Sequence, residues 1–353
     1  MDQLWWKQIT KARIFRENIV NAIISEKSVV LSLPRFVPWY DTLFGMIEED
    51  LNAEAVQRSL ETMKDDGGDP GKQLLEKFCK KEVRAQYRVG KTYAQFLAAQ
   101  RAITLNSRIV WVRGLTEKTL PAWLKFVSEY NKALPKNEEG GIFVLELRKT
   151  GAKFSSGGFE KLSFDESITP YDKYTFCILA SSETNLPSDL VPYFAELVSR
   201  VCSDDVELCA LCIRNAREFA EDPEKFLRSA AENECHSDGS ALDLGDILSD
   251  IEKKIWECQI RTIFPEIESY RGSFVARYNK EIAKQLPITD AFGETLSIPE
   301  DVELGQLYAM TCAGCIQMRT NNELGELGFY KESRNALAHL QPLSFKDVQR
   351  ILK

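Results

Sequence analysis

The alternation of short apolar runs with amphipathic segments in the first half of the chain constrains the fold most strongly. The runs SVVLSLP, SRIVWVRGL (Ser107–Leu115) and GGIFVLELRK are typical of buried strands. A fourth run, KYTFCILASS (Lys173–Ser182), is predicted to be another strand. The segments between them, WYDTLFGMIEEDL and LPAWLKFVSEYNKAL, carry apolar residues at helical spacing. Because strands separated by helices pair in parallel, this half predicts an α/β domain with a mainly parallel sheet covered on both faces.

Helical patterns fill the remainder of the chain. The stretch between Leu51 and Gln100 is polar and mostly helical in pattern, and strand signals stop after Asn185. A long helix in the last hundred residues is expected to kink or break at Pro265, since proline removes a helical hydrogen bond. We therefore predict an α/β domain over residues 1–185, a helical lid-like segment over 186–235, a linker over 236–245 and an all-α bundle over 246–353.

The charge of the chain argues against a generic nucleic-acid binder. The formal net charge is -8 over 353 residues, whereas neutralising phosphates requires a basic excess. Any RNA role must use a local patch or a recessed site. The N-terminus lacks the apolar segment of a signal peptide, and no run approaches the roughly 18 apolar residues of a membrane span. Nine scattered cysteines suit reduced thiols, so we expect a cytoplasmic protein with no membrane partner.

The turn after the first predicted strand is where a phosphate-binding loop would lie. Such a loop needs glycines, a lysine and a Ser/Thr hydroxyl, but the turn reads PRFVP (residues 34–38). The literal Gly90-Lys91-Thr92 follows no predicted strand and is interpreted as coincidence. Glu146 stands near the end of the third predicted strand, a place that resembles the position of the magnesium-linked acid in P-loop NTPases. We expect no cofactor.

The order of these elements resembles the core of AAA+ or STAND-type P-loop ATPases over about residues 1–235. The resemblance implies a nucleotide-binding fold that has lost its hydrolytic loop and binds protein partners instead. Two alternatives stay open at this point: an unrelated α/β domain, and an NTPase with an atypical loop.

The six residues RNALAH near the C-terminus carry the clearest catalytic pattern. Asn335 and His339 are four apart and share a helical face, whereas Arg334 lies about 140° around a regular helix from His339. An imidazole can act as general acid or base near neutral pH. A guanidinium can hold a phosphate and stabilise its transition-state charge. These groups meet the needs of metal-independent RNA cleavage by the adjacent 2′-hydroxyl.

This motif resembles the Arg-x(4–6)-His signature of the HEPN superfamily, and the resemblance covers residues 246–353. It implies a compact helical bundle, ribonuclease activity in a toxin or phage-defence effector, and a homodimer through the C-terminal helices in which two Arg/His sets form one cleft. Arg334 would then bind phosphate, His339 would be the acid/base and Asn335 would orient them. Arg319, Lys331 and Arg350 are candidates to line the cleft.

Two other interpretations of the motif stay open. In one, RNALAH is a packed turn with Leu337 in the core and His339 capping a helix end. In the other, the protein is a non-enzymatic regulatory or scaffold subunit that binds protein partners. Cys209/Cys212 and Cys312/Cys315 lie in helical patterns about a hundred residues apart, so we predict buried thiols and no metal site.

Overall fold

The structure is a computed structural model that describes residues 1–54, 57–88, 90–100, 105–136, 138–148, 158–289, 293–320 and 322–353. The chain divides into two compact units, Met1–Asp172 and Lys173–Lys353. The boundary falls earlier than the predicted end of the α/β domain at residue 185. The predicted lid-like segment and linker therefore both lie inside the second unit.

The first unit contains a five-stranded sheet in the order β2-β3-β4-β1-β5, and all of its strand pairs are parallel. The strands are β1 Val29–Leu33, β2 Ser59–Lys64, β3 Arg108–Leu115, β4 Ile142–Arg148 and β5 Glu160–Ser163. The helices of this unit are α1 Thr10–Ile24, α2 Tyr40–Ala53, α3 Pro70–Phe78, α4 Lys81–Arg84, α5 Tyr93–Ala99, α6 Leu120–Ala133 and α7 Phe164–Ser167, preceded by a π-helical turn Leu4–Gln8.

Helices cover both faces of this sheet. On one face, Val110, Phe143 and Leu145 join a buried cluster with side chains of α3, α5 and α6, such as Trp123. Trp111 points to the opposite face because side chains alternate along a strand, and there it packs edge-to-face on Phe44 of α2 at 5.3 Å between ring centroids. The predicted α/β class with a mainly parallel sheet is confirmed.

Two corrections concern the strands. The predicted strand Lys173–Ser182 is wrong, because these residues belong to the helix α8, Pro170–Ser182. Its buried residues Phe176, Cys177, Ala180 and Ser181 recur at helical spacing. The strands β2 and β5 were not predicted. Met63 is the only buried residue in β2 and β5 has none, so these edge strands lack the apolar run that marks a central strand.

The second unit is mainly helical, as predicted, apart from a short antiparallel pair, β6 Ile288–Thr289 and β7 Thr295–Leu296. Its helices after α8 are α9 Val191–Val201, α10 Val206–Arg214, α11 Ala216–Glu221, α12 Pro223–Asn233, α13 Gly245–Ser249, α14 Ile251–Thr262, α15 Phe264–Arg277, α16 Asn279–Ala283, α17 Leu304–Cys312, α18 Glu323–Ala338 and α19 Phe345–Ile351. The predicted break near Pro265 is confirmed, since α14 ends at Thr262 and α15 begins at Phe264.

The helix α18 packs against α14, α15 and α17 and carries the RNALAH motif. Two polar contacts tie its end to α14. The Trp256 indole donates to the Leu337 carbonyl at 2.7 Å. The Gln259 amide donates to the Leu343 carbonyl at 3.0 Å and accepts from the Leu343 N–H at 2.7 Å. The motif therefore lies on a firmly packed helix end, which limits the positions that its side chains can adopt.

Candidate functional site

Arg334, Asn335 and His339 lie at the C-terminal end of α18. Arg334 and Asn335 are half-buried in its last turns, while His339 is the C-cap residue and is exposed. The His339 N–H donates to the Asn335 carbonyl at 3.0 Å. Leu337 is fully buried and His339 caps the helix end, as the packed-turn interpretation predicts, while the His339 side chain itself is exposed. The structure thus leaves the imidazole available to a ligand.

The backbone after His339 closes the helix in a Schellman motif. The Gln341 N–H donates to the Ala336 carbonyl at 2.9 Å, and the Leu340 N–H to the Leu337 carbonyl at 3.3 Å. Leu340 has a φ of 61°, a left-handed conformation in which glycine is the usual residue. Its side chain is 67% exposed. Within one chain, neither the backbone conformation nor the exposed side chain of Leu340 is stabilising for a leucine.

The Arg334 guanidinium is directed to α17 and pairs with Glu303, the residue that precedes that helix. The two atoms Nη2 and Oε2 are 3.1 Å apart, and the side chains are 34% and 55% exposed. The Arg334 Nε is buried without a hydrogen-bond partner. In the described part of the chain, no hydrogen bond joins Arg334 to His339. One chain therefore does not assemble the guanidinium and the imidazole into a single contact.

The other basic candidates each lie over an aromatic ring. Lys331 is 4.4 Å from the centroid of Tyr308 and also pairs with Glu332 at 2.9 Å. Arg350 lies 3.9 Å from the ring of Phe329, and Arg319 lies 5.8 Å from that of Tyr278. Lys331 is one helical turn before Arg334 on α18. It is thus the one of the three that lies beside the motif along the helix.

A second polar cluster lies in the first unit, at the carboxyl ends of β3 and β4. Glu146 is 2% exposed, and its carboxylate accepts hydrogen bonds from the Tyr40 hydroxyl, from the Trp111 indole at 2.9 Å and from Arg148 Nε at 2.7 Å. Burial and the adjacent Glu146 carboxylate raise the pKa of Tyr40, so its phenol remains a donor. Glu146 is therefore fully engaged by neighbouring side chains.

The other histidine, His236, forms a buried hydrogen-bonded contact with Asp205 and Ser240 that the sequence did not predict. His236 is 8% exposed and lies in the segment predicted as a linker. Its Nε2 is 2.6 Å from Asp205 and its Nδ1 is 3.0 Å from Ser240 Oγ, which itself donates to Asp238. Since that hydroxyl proton goes to Asp238, the ring donates through both nitrogens and Ser240 is no activated nucleophile.

The ionisation of His236 follows from these neighbours. Burial lowers its pKa, but the hydrogen bond and the charge of Asp205 outweigh burial, so the pKa lies above its ordinary value of 6.5. The charged ring holds the segment after α12 against the start of α10. A lone histidine in a polar stretch gives no sign of this from sequence, because Asp205 is 31 residues away.

Four cysteines meet in the interior of the second unit. Cys209 and Cys212 are buried there, as predicted, whereas the predicted burial of Cys312 and Cys315 is wrong, since Cys312 is exposed and Cys315 is half-buried. Cys202 Sγ and Cys212 Sγ are 3.6 Å apart, and Cys177 and Cys209 are buried beside them. Burial raises the pKa of Cys202, which keeps this thiol protonated. Across the described ranges, no group of three His, Cys, Asp or Glu side chains is arranged to hold a metal ion.

Comparison with known proteins gives no relative from which a function could be transferred. No protein-family model matches the chain, and no curated protein sequence is similar to it. The HEPN-like and NTPase-like assignments therefore stay predictions. Among the helices that the structure describes, none combines the length and the apolar character needed to cross a membrane.

Proposed function

We propose that the chain is a HEPN-like, metal-independent endoribonuclease of the toxin or phage-defence type that acts in the cytoplasm. The observation that carries the proposal is the exposed imidazole of His339 on a helix end fixed by packing. A histidine with only a structural role would be expected to be buried or hydrogen-bonded, as His236 is. In this proposal Arg334 binds the scissile phosphate, His339 transfers protons and Asn335 orients them.

The proposed chemistry needs only these side chains and the RNA. The 2′-oxygen attacks the adjacent phosphorus while His339 accepts its proton, and the bond to the 5′-oxygen of the next nucleotide breaks. The products are a 2′,3′-cyclic phosphate and a 5′-hydroxyl that takes up a proton. Arg334 stabilises the charge on the pentacoordinate phosphate.

A homodimer through the C-terminal helices completes this site in the proposal. Because Arg334 and His339 share no contact within one chain, pairing two copies would place Arg334 of one copy near His339 of the other. The exposed Leu340 beside the motif is an apolar contact available for such pairing.

A second candidate function is that of a non-enzymatic regulatory or scaffold subunit, in which an inactive NTPase-like domain binds protein partners. Two observations favour it. Glu303 already neutralises Arg334. Glu146 is occupied by three donors, so it is not available to a magnesium ion.

Cleavage of a labelled single-stranded RNA in EDTA separates the two candidates. We expect the wild type to cleave and His339→Ala to lose at least about a hundred-fold in rate, in line with the worth of a positioned acid/base. The matched control is His236→Gln, which removes the other histidine and should keep the rate. Added imidazole should partly restore His339→Ala. Absence of cleavage in the wild type, or equal rates in the wild type and His339→Ala, would leave the binding role.

A further inference from the structure

Arginines lie at the carboxyl edge of the sheet in the first unit, and the ribonuclease proposal gives them no role. The neighbouring strands β1 and β4 continue in opposite directions, because β1 is followed by β2 on the far side of β4, and β4 is followed by β5 on the far side of β1. In open parallel sheets, ligands bind outside the carboxyl ends of strands at such a reversal. The side chains at the carboxyl ends of β3, β4 and β1 therefore decide what this edge can bind.

Arg113 lies near the carboxyl end of β3 and has no acceptor for its charge. Its guanidinium carbon is 4.8 Å from the Tyr40 ring centroid and 4.6 Å from that of Phe44. Its Nε is buried without a hydrogen-bond partner, and within the described ranges no carboxylate pairs with the guanidinium. A buried donor without an acceptor calls for a physical explanation, and a bound ion is one.

Arg148, the last residue of β4, brings a second guanidinium to the same place. It lies 4.4 Å from the centroid of the Tyr40 ring that Arg113 also contacts. Its Nε donates to Glu146, which leaves its terminal nitrogens free of protein acceptors among the described residues. A third arginine, Arg35, is exposed in the turn after β1 and likewise has no acceptor there.

Two guanidiniums therefore face one contacting carboxylate, Glu146, whose oxygens already accept three hydrogen bonds. Asp65, which follows β2 at the same edge, is engaged by Gln73 and Trp123. Packing on aromatic rings restrains the two arginines, so they lose little conformational freedom when they bind a ligand. Their planar sets of N–H donors suit a tetrahedral oxyanion. The prolines of the PRFVP turn remove backbone donors, so side chains take over the role that backbone N–H groups have in a glycine-rich loop.

We propose that Arg113 and Arg148 form an anion site at the carboxyl edge of the sheet that binds the phosphate group of a small ligand without magnesium. The aromatic faces of Tyr40 and Phe44 are occupied by guanidiniums, so the site recognises phosphate and offers no free ring for stacking a base. Inorganic pyrophosphate and a nucleoside diphosphate are then two sources of the same chemistry.

Isothermal titration calorimetry of the full chain with pyrophosphate and with ADP, both in EDTA, tests the site. We expect binding to the wild type, and a Kd raised at least about ten-fold in Arg113→Gln, since an arginine–phosphate contact is charge-assisted. The matched control is Arg108→Gln. Arg108 begins the same strand at the opposite edge of the sheet and pairs with Glu61, so its loss should leave Kd unchanged.

A second variant keeps the test valid should Arg113→Gln fail to fold. Arg35→Gln alters an exposed turn residue and should raise Kd about two- to three-fold through lost charge alone. Equal affinities for pyrophosphate and ADP identify phosphate alone as the ligand, whereas tighter binding of ADP assigns the phosphate to a nucleotide. No heat with either compound, or an unchanged Kd in every variant that folds, would overturn the proposal.

Discussion

Removing the Glu146 carboxylate should destabilise the first unit more than any surface substitution. Glu146→Ala leaves three donors without an acceptor: the Tyr40 hydroxyl, the Trp111 indole and Arg148 Nε. A buried donor left without its acceptor costs about 1–3 kcal/mol. The Trp111 indole is buried and the Tyr40 hydroxyl partly so, whereas Arg148 is 31% exposed and can be rehydrated. We therefore expect a loss of about 2–4 kcal/mol. Glu146→Gln keeps the shape and one acceptor oxygen, so we expect a smaller loss of about 1–2 kcal/mol.

Urea unfolding followed by tryptophan fluorescence measures this effect. Five of the six tryptophans of the chain, Trp111 among them, lie in the first unit, so the fluorescence signal reports mainly on its unfolding. The control is Glu49→Ala, an exposed position in α2, which should change the unfolding free energy by less than about 0.5 kcal/mol. If Glu146→Ala were as stable as this control, the three hydrogen bonds would not hold the strand ends together as described.

Three further predictions concern the second unit. Leu340→Gly should raise the unfolding free energy by about 1 kcal/mol in chemical denaturation, because glycine adopts a positive φ without strain; Leu340→Ala, which keeps the Cβ, should not. The stabilising pair of His236 with Asp205 should be fully present below pH 6.5 and lost as the pH rises through the raised pKa of His236. The difference in Tm between the wild type and His236→Gln should therefore shrink from pH 6 to pH 9. Glu303→Gln should tighten RNA binding about three- to ten-fold by freeing Arg334, measured by fluorescence anisotropy at low salt.

The central strands could be predicted from sequence because burial on both faces demands continuous apolar residues. The runs that form β1, β3 and β4 show this pattern, and their parallel pairing follows from the helices between them. The edge strands could not be predicted, since SLETMK and EKLS pair through the backbone and bury little. The strand prediction for Lys173–Ser182 failed for the opposite reason. A short apolar run fits a strand or a helix, and its packing against the rest of the fold determines which of the two forms.

The candidate sites, too, could be predicted only as far as local sequence spacing determines them. The sequence predicted that Arg334, Asn335 and His339 lie within about one and a half helical turns, because their spacing is local. It could not show that Glu303, 31 residues earlier, would neutralise Arg334, or that Arg113 and Arg148 would share the Tyr40 ring. Such contacts depend on how the elements pack, and no local pattern encodes them.

The products of RNA cleavage in EDTA test the ribonuclease proposal most directly. A substrate with one ribonucleotide in an otherwise deoxyribonucleotide strand restricts attack to a single 2′-hydroxyl. Mass spectrometry should show a 2′,3′-cyclic phosphate at that nucleotide with the wild type and intact substrate with His339→Ala. Cleavage of the all-deoxyribonucleotide strand, or the same products from His339→Ala, would contradict the roles proposed for the imidazole and the guanidinium.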